Sequence, residues 1–128
     1  MSMERALYDE SFKAEQDLSA KQFLAMELSA EAQVDTADAA ADPVIGILQN
    51  KPKAGEAAEV RLLGISKAVT DGNAGAIAVG DFLGTNNAGK LVKKTADKDW
   101  VIARALQAST ADGTIISVLL TGGFHQAV

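Results

Sequence analysis

An all-β fold, a small β-barrel or sandwich of short strands, is what this sequence predicts. Three observations predict it. The apolar residues fall in short runs, several close to the period of two that a pleated strand requires. Those runs are separated at close spacing by Gly, Asn and Asp, the residues of tight turns. No stretch carries a sustained helical stripe, so helix content is expected to be small.

The clearest stretch is 43–69. Val44 to Leu48 is a short apolar run suited to a buried strand, and Gln49 to Gly55 supply a polar loop containing Pro52. Val60, Leu62 and Ile65 then return as a second strand. Upstream, Phe23 to Leu28 reads as a strand, Ser29 to Gln33 as a turn, and Val34 to Thr36 as a brief return strand. One helical turn is conceivable in the alanine-rich 37–42 segment, but Pro43 must stop it by biasing Asp42 out of the helical region. Residues 1–22 show no stripe at all. Leu7, Tyr8 and Phe12 are isolated among acids, which fits either a frayed terminus or an arm that orders against a partner. A short helix capped at Ser19 is the third option.

Downstream, Thr70 to Gly75 is a dense turn signal, followed by the apolar group Ile77, Val79, Phe82 and Leu83 with a corner at Gly80-Asp81. Thr85 to Lys90 reads as a hairpin turn, because Asn and Gly tolerate positive φ. Leu91 to Lys94 leaves it as a strand. The last pair is Trp100–Leu106 and Thr114–Leu120, joined around Asp112-Gly113, and the tail from Gly122 is expected on the surface. The domain division that follows is an N-terminal arm over 1–22 and a β-domain over 23–128.

The chain also echoes itself. Shifted by 58 residues, Leu48-Gln49 falls on Leu106-Gln107, Gly55 on Gly113, Val60 on Val118, Leu62 on Leu120 and Gly64 on Gly122. Phe23-Leu24 falls on Phe82-Leu83 at a shift of 59. The pattern fits two pseudo-repeated halves closing one barrel, or simply two similar hairpins.

At 128 residues the chain fits one compact domain with a real core. It has no cysteine, so disulfides and thiolate metal sites are excluded. No apolar run approaches the roughly 18 residues of a membrane helix, and the first residues lack the basic start and apolar core of a signal peptide. A soluble protein made in the cytoplasm, with no membrane partner, is the expectation. The net charge is −5, with ten acids against three bases in residues 1–42. Phosphate neutralisation needs clustered Lys and Arg, so a nucleic-acid partner is not expected. Lys90, Lys93, Lys94 and Lys98 form one small basic group among acids, read as a solvated face or a contact for an anionic partner.

Marks of catalysis are scarce. His125 is the only histidine and has no acid near it in sequence. Without Cys or a second His, zinc would need carboxylates alone. No G-x-S-x-G elbow occurs, and the glycines of 72–75 lack the Lys-Ser/Thr of a phosphate loop. The expectation is a non-enzyme with no catalytic residue, cofactor or metal.

A family resemblance is carried by a series of motifs. These are Asp9-Glu10-Ser11-Phe12-Lys13, Asp17 to Phe23, Pro43 to Pro52, Gly55 to Val60, Gly64 to Val69, Val79-Gly80-Asp81-Phe82-Leu83 and Ala103 to Leu106. In that order they resemble the capsid cement, or head decoration, proteins of tailed bacteriophages, over about residues 8–122. The most specific wording is G-I-L-Q-N-K-P followed by G-E-A-A-E-V. The resemblance implies a structural virion protein on the outer surface of the expanded phage head, stabilising it against internal DNA pressure. It implies the major capsid protein as partner and a homotrimer at three-fold or quasi-three-fold positions. A terminal arm adding a strand to the shell is also implied, with Leu7, Tyr8 and Phe12 as candidate capsid contacts. The competing expectation is a free-standing β-rich surface module, fibre-like or carbohydrate-binding, which would call for an aromatic platform.

Overall fold

A computed structural model describes residues 3–127. Its strands are β1 (Arg5–Ala14), β2 (Ala25–Ala30), β3 (Gln33–Thr36), β4 (Gly46–Leu48), β5 (Ala57–Asp71), β6 (Phe82–Thr85), β7 (Leu91–Lys93), β8 (Trp100–Ala105) and β9 (Asp112–His125). No helix occurs among the described residues, so the all-β expectation holds. None is therefore long and apolar enough to cross a membrane.

All nine strands form one sheet in the order β1-β3-β2-β4-β5-β7-β6-β8-β9, with two further pairings, β1–β5 and β5–β9. Those pairings close two circuits. Strands β1, β3, β2 and β4 return to β5, and β5, β7, β6 and β8 return to β9. The fifteen-residue β5 belongs to both. The expected single barrel is thus replaced by two linked five-strand units sharing their longest strand.

The internal echo is real, and its register can now be read from the backbone. Ala25↔Ile47 and Met26↔Gly46 in unit one recur 57 residues later as Phe82↔Arg104 and Leu83↔Ala103 (25 to 82, 47 to 104). The β2–β3 pairs Met26↔Thr36 and Leu28↔Val34 recur as Leu83↔Lys93 and Thr85↔Leu91. Phe12↔Ala58 recurs as Val69↔Ile115. The φ angles repeat as well: Phe23 68° and Gly80 93°, Ala32 53° and Gly89 78°, Gly55 81° and Gly113 83°. Each copy does not supply half a barrel, as expected, but closes a circuit of its own.

Two apolar clusters fill the units. Ala14, Leu18, Leu24, Met26, Val34, Leu48, Ala58 and Val60 pack within unit one. Leu83, Leu91, Ile102, Ile116, Val118 and Leu120 pack within unit two, joined by Ala25, Val44 and Ile47 from the outer side of unit one. Each fully buried Leu, Ile or Val contributes about 1.5–3 kcal/mol, so the seam between units is part of the core.

The first 22 residues are not a detached arm. Strand β1 pairs antiparallel with β5 over Arg5–Lys13, and Ala14 and Leu18 are wholly buried. The sequence hid this strand because seven of its ten residues are exposed on both faces and two more only grade inward. Alternation is the signal that burial imposes, and β1 has little burial to impose it. Three smaller expectations are also corrected. Phe23 stands outside β2 because its positive φ breaks the strand. The Thr70-Asp71 segment is still strand, and the tail from Gly122 continues β9 through His125.

Gly64 is the tightest backbone contact in the β1–β5 ladder. Its φ is +113°, and a Cβ there would run into the carbonyl of Arg5 and the amide of Leu7. Gly64→Ala is expected to lower stability by about 1–3 kcal/mol through backbone strain alone, seen as a reduced urea midpoint with unchanged slope. An unchanged midpoint would contradict the close β1–β5 approach.

Candidate interaction surface

Strand β1 presents the sequence-predicted contact residues very unequally. The ladder slips between Ala6↔Gly64 and Tyr8↔Leu63, so Leu7 sits in a bulge. It is 75% exposed, the most exposed large apolar side chain described. Tyr8 is 48% exposed, and its hydroxyl donates to Glu10 Oε2 at 2.5 Å. That hydrogen bond raises the Tyr8 pKa above its ordinary value and lowers that of Glu10. Phe12, by contrast, packs against the unit-one cluster and serves the fold. Leu63, opposite Tyr8 on β5, is 41% exposed and extends the apolar strip.

What holds this strip in place is Arg61. Its guanidinium is nearly buried, donates from Nε to Asp9 Oδ1 at 2.9 Å and from Nη2 to Asp9 Oδ2 at 3.3 Å, and caps the Ile65 carbonyl from Nη1 at 2.9 Å. Glu4 adds a longer ion pair to Arg61 at 3.8 Å and one to Lys67 at 3.1 Å. Planar, forked donors suit such bidentate pairing. Ser11 Oγ also donates to the Glu59 carboxylate across the ladder. A polar ribbon with few buried apolar contacts is therefore fastened by charge.

An acidic cluster lies on unit one, and sequence reasoning did not foresee it. Carboxylate oxygens of Glu27, Asp38 and Asp42 converge within 4.8 Å. Asp42 accepts the backbone N–H groups of Asp38 at 3.1 Å and Ala39 at 3.0 Å, and this fixes the 38–42 turn. Partial burial, aided by a hydrogen bond to Asp42, pushes Glu27 up to about 7. That same bond, with the two backbone donors, holds Asp42 below its ordinary range. Glu27 thus carries the shared proton at mildly acidic pH, and an acid donating to a carboxylate accounts for the convergence. Only the proximity of Asp38 and Asp42 in sequence hinted at it.

The lysine group is dispersed among partners. Lys90 pairs with Asp112 at 2.8 Å, Lys93 with Asp81 at 3.6 Å, and Lys94 donates to the Ala40 carbonyl at 3.1 Å. His125 stacks edge-on against Trp100 at 5.0 Å and its Nδ1 meets the Lys98 carbonyl at 3.0 Å. A second apolar face, unremarked in the sequence, gathers Phe82, Phe124 and Leu119, each 36–38% exposed. The two phenyl rings meet edge to face at 5.8 Å, and Arg104 lies 5.0 Å from the Phe82 ring.

The described residues thus build a rigid, two-unit β scaffold with apolar side chains displayed on two faces, the layout of a structural binding protein. The comparison with known families makes the class specific. The phage cement protein family matches residues 10–120, and the chain belongs to that family, among the structural proteins of phage virions. The fold is similar to the N base of the head fiber gp8.5 of bacteriophage phi29, with a TM-score of 0.62 and 15% identity. That match covers 93% of this chain and 98% of the phi29 one. No curated protein matches the chain.

The sign of the Glu27 shift fixes a pH dependence. A carboxyl whose folded pKa lies above its ordinary 4.5 adds stability fully present below that value and lost as pH rises through about 7. Thermal unfolding of the native chain is expected to fall in midpoint between pH 5 and pH 8, by about one pH-dependent group's worth. Glu27→Gln should flatten that fall. An equally steep fall in the variant would show that Glu27 does not hold the proton.

Proposed function

We propose that this protein binds the outer surface of an expanded phage capsid through the major capsid protein and stabilises the shell against the pressure of packaged DNA. Units assemble as homotrimers at three-fold or quasi-three-fold positions, and strand β1 is the grip. Membership of the cement family supports the capsid as partner. The single observation that carries the grip is the Leu7–Tyr8 strip, an exposed apolar bulge fastened to a rigid sheet by buried Arg61.

The physical logic is multivalent. A trimer engaging neighbouring capsomers makes each further contact intramolecular, so modest patches sum to a strong clamp without any single large interface. Holding Leu7 and Tyr8 on a paired strand also removes ordering cost at the moment of binding. Phe12 belongs to the fold and not to this contact. The alternative of a free-standing carbohydrate-binding module finds no support, because the exposed phenylalanines meet edge to face and do not form a flat platform.

Leu7→Asp combined with Tyr8→Ser should leave folding within about 0.5 kcal/mol, since both side chains are exposed. Binding to expanded shells, read by co-sedimentation, should weaken by about tenfold or more, as for a central hot spot. Shells saturated with the native chain should withstand heating that opens bare shells. Retained shell binding by the variant would reject β1 as the grip, and equal heat resistance of coated and bare shells would reject the cement role.

A further inference from the structure

The internal repeat states what covers one face of each unit. In unit one the outer row Ala25–Ile47 is wholly buried, sealed beneath unit two. The Ala25 amide donates to the Gly89 carbonyl at 2.8 Å, and Trp100 Nε1 donates to the Val44 carbonyl at 2.9 Å. The equivalent row in unit two is Phe82–Arg104, continued by Leu119 on β9. It is exposed, with Phe124 beside Phe82. Unit two is the last unit of the chain, and nothing within the chain succeeds it.

The opposite face tells the same story. Unit two meets unit one through Thr85, Gly89 and Ile102, all buried, and the half-buried Trp100. The unit-one equivalents, 57 residues earlier, are Leu28, Ala32, Ile45 and Pro43. Leu28 is 55% exposed where Thr85 is 1% exposed. Ala32 and Pro43 are exposed, and Ile45 is only partly covered. Each end of the chain therefore displays an apolar half of a contact that the chain already makes once, internally. Charge agrees: Arg104 lies on the unit-two face, and Leu28 is flanked in sequence by Glu27 and Glu31.

We infer that copies of this chain join head to tail, the Phe82–Arg104–Leu119–Phe124 face of one docking on the Leu28–Pro43–Ile45 face of the next. The contact repeats the internal one between unit one and unit two. Such a heterologous contact yields a ring when its rotation closes. The inference rests on the self-association part of the proposed function and names its surfaces, both separate from the Leu7–Tyr8 strip.

Sedimentation velocity on the full chain tests it with two variants, Phe82→Asp and Leu28→Asp. Each removes one of the two faces and leaves the other intact. The native chain should self-associate, and each variant alone should associate at least about tenfold more weakly. An equimolar mixture should recover a dimer and nothing larger, because only one intact face pair remains. Leu7→Asp should assemble as the native chain does. Circular dichroism monitors folding, and Phe82→Ser with Leu28→Ser give the same comparison should an aspartate variant unfold. A native chain that assembles while both variants assemble equally well would overturn these surfaces and leave the oligomer reading standing. Variants that are monomeric alone and remain so when mixed would overturn the head-to-tail arrangement. A native chain that stays monomeric at sub-millimolar concentration would overturn the oligomer reading and this inference together.

Discussion

Everything in this molecule is tied to β5. Its N-terminal half completes unit one against β1 and β4, and its C-terminal half opens unit two against β9 and β7. A single strand of fifteen residues thereby serves as the last strand of one unit and the first of the next. Even-numbered positions from Ala58 to Thr70 face inward along most of its length, so it contributes to both apolar clusters. A break in β5 would open both circuits at once, which makes the chain one cooperative body with two repeated parts.

The sharing also explains how a chain of this size can present so much functional surface. Pairing to β5 provides β1 with a backbone partner along its whole length, so its side chains need not be spent on a core. Arg61 substitutes charge for apolar burial there, at a position where Asp9 lies directly opposite. The result is a strand fixed in space with Leu7 and Tyr8 free, a geometry suited to binding by a preformed surface. The seam between units uses the opposite strategy. Small and branched residues, Ala25 and Ile47, are sealed dry beneath unit two. Where the repeat ends, larger Phe82 and Leu119 occupy the equivalent outer row.

How much of this was legible in the sequence depended on burial. Strands β4, β5, β8 and β9 bury one face or both, and Val60, Ile47, Ile102 and Val118 declared them through their apolar pattern. The 58-residue echo of Gly55 and Gly64 on Gly113 and Gly122 was legible because glycines mark special backbone positions, and the positive φ values bear that reading out. Strand β1 was illegible because a strand exposed on both faces leaves no alternation to read. The Glu27–Asp42 pair was illegible because it depends on how the 38–42 turn folds back over β2. Phe82 read as an ordinary strand residue in a short motif; only its equivalence to buried Ala25 gives it meaning.

The central claim is that the chain cements a phage shell by its β1 strip while its two terminal faces join copies to each other. A cryo-EM reconstruction of expanded capsids saturated with the protein tests this most directly. The account predicts Leu7 and Tyr8 against the capsid protein, with Phe82 and Phe124 of each copy against Leu28 and Ile45 of its neighbour. Copies standing singly on the shell, or attached through the Phe82 face with β1 pointing to solvent, would contradict it.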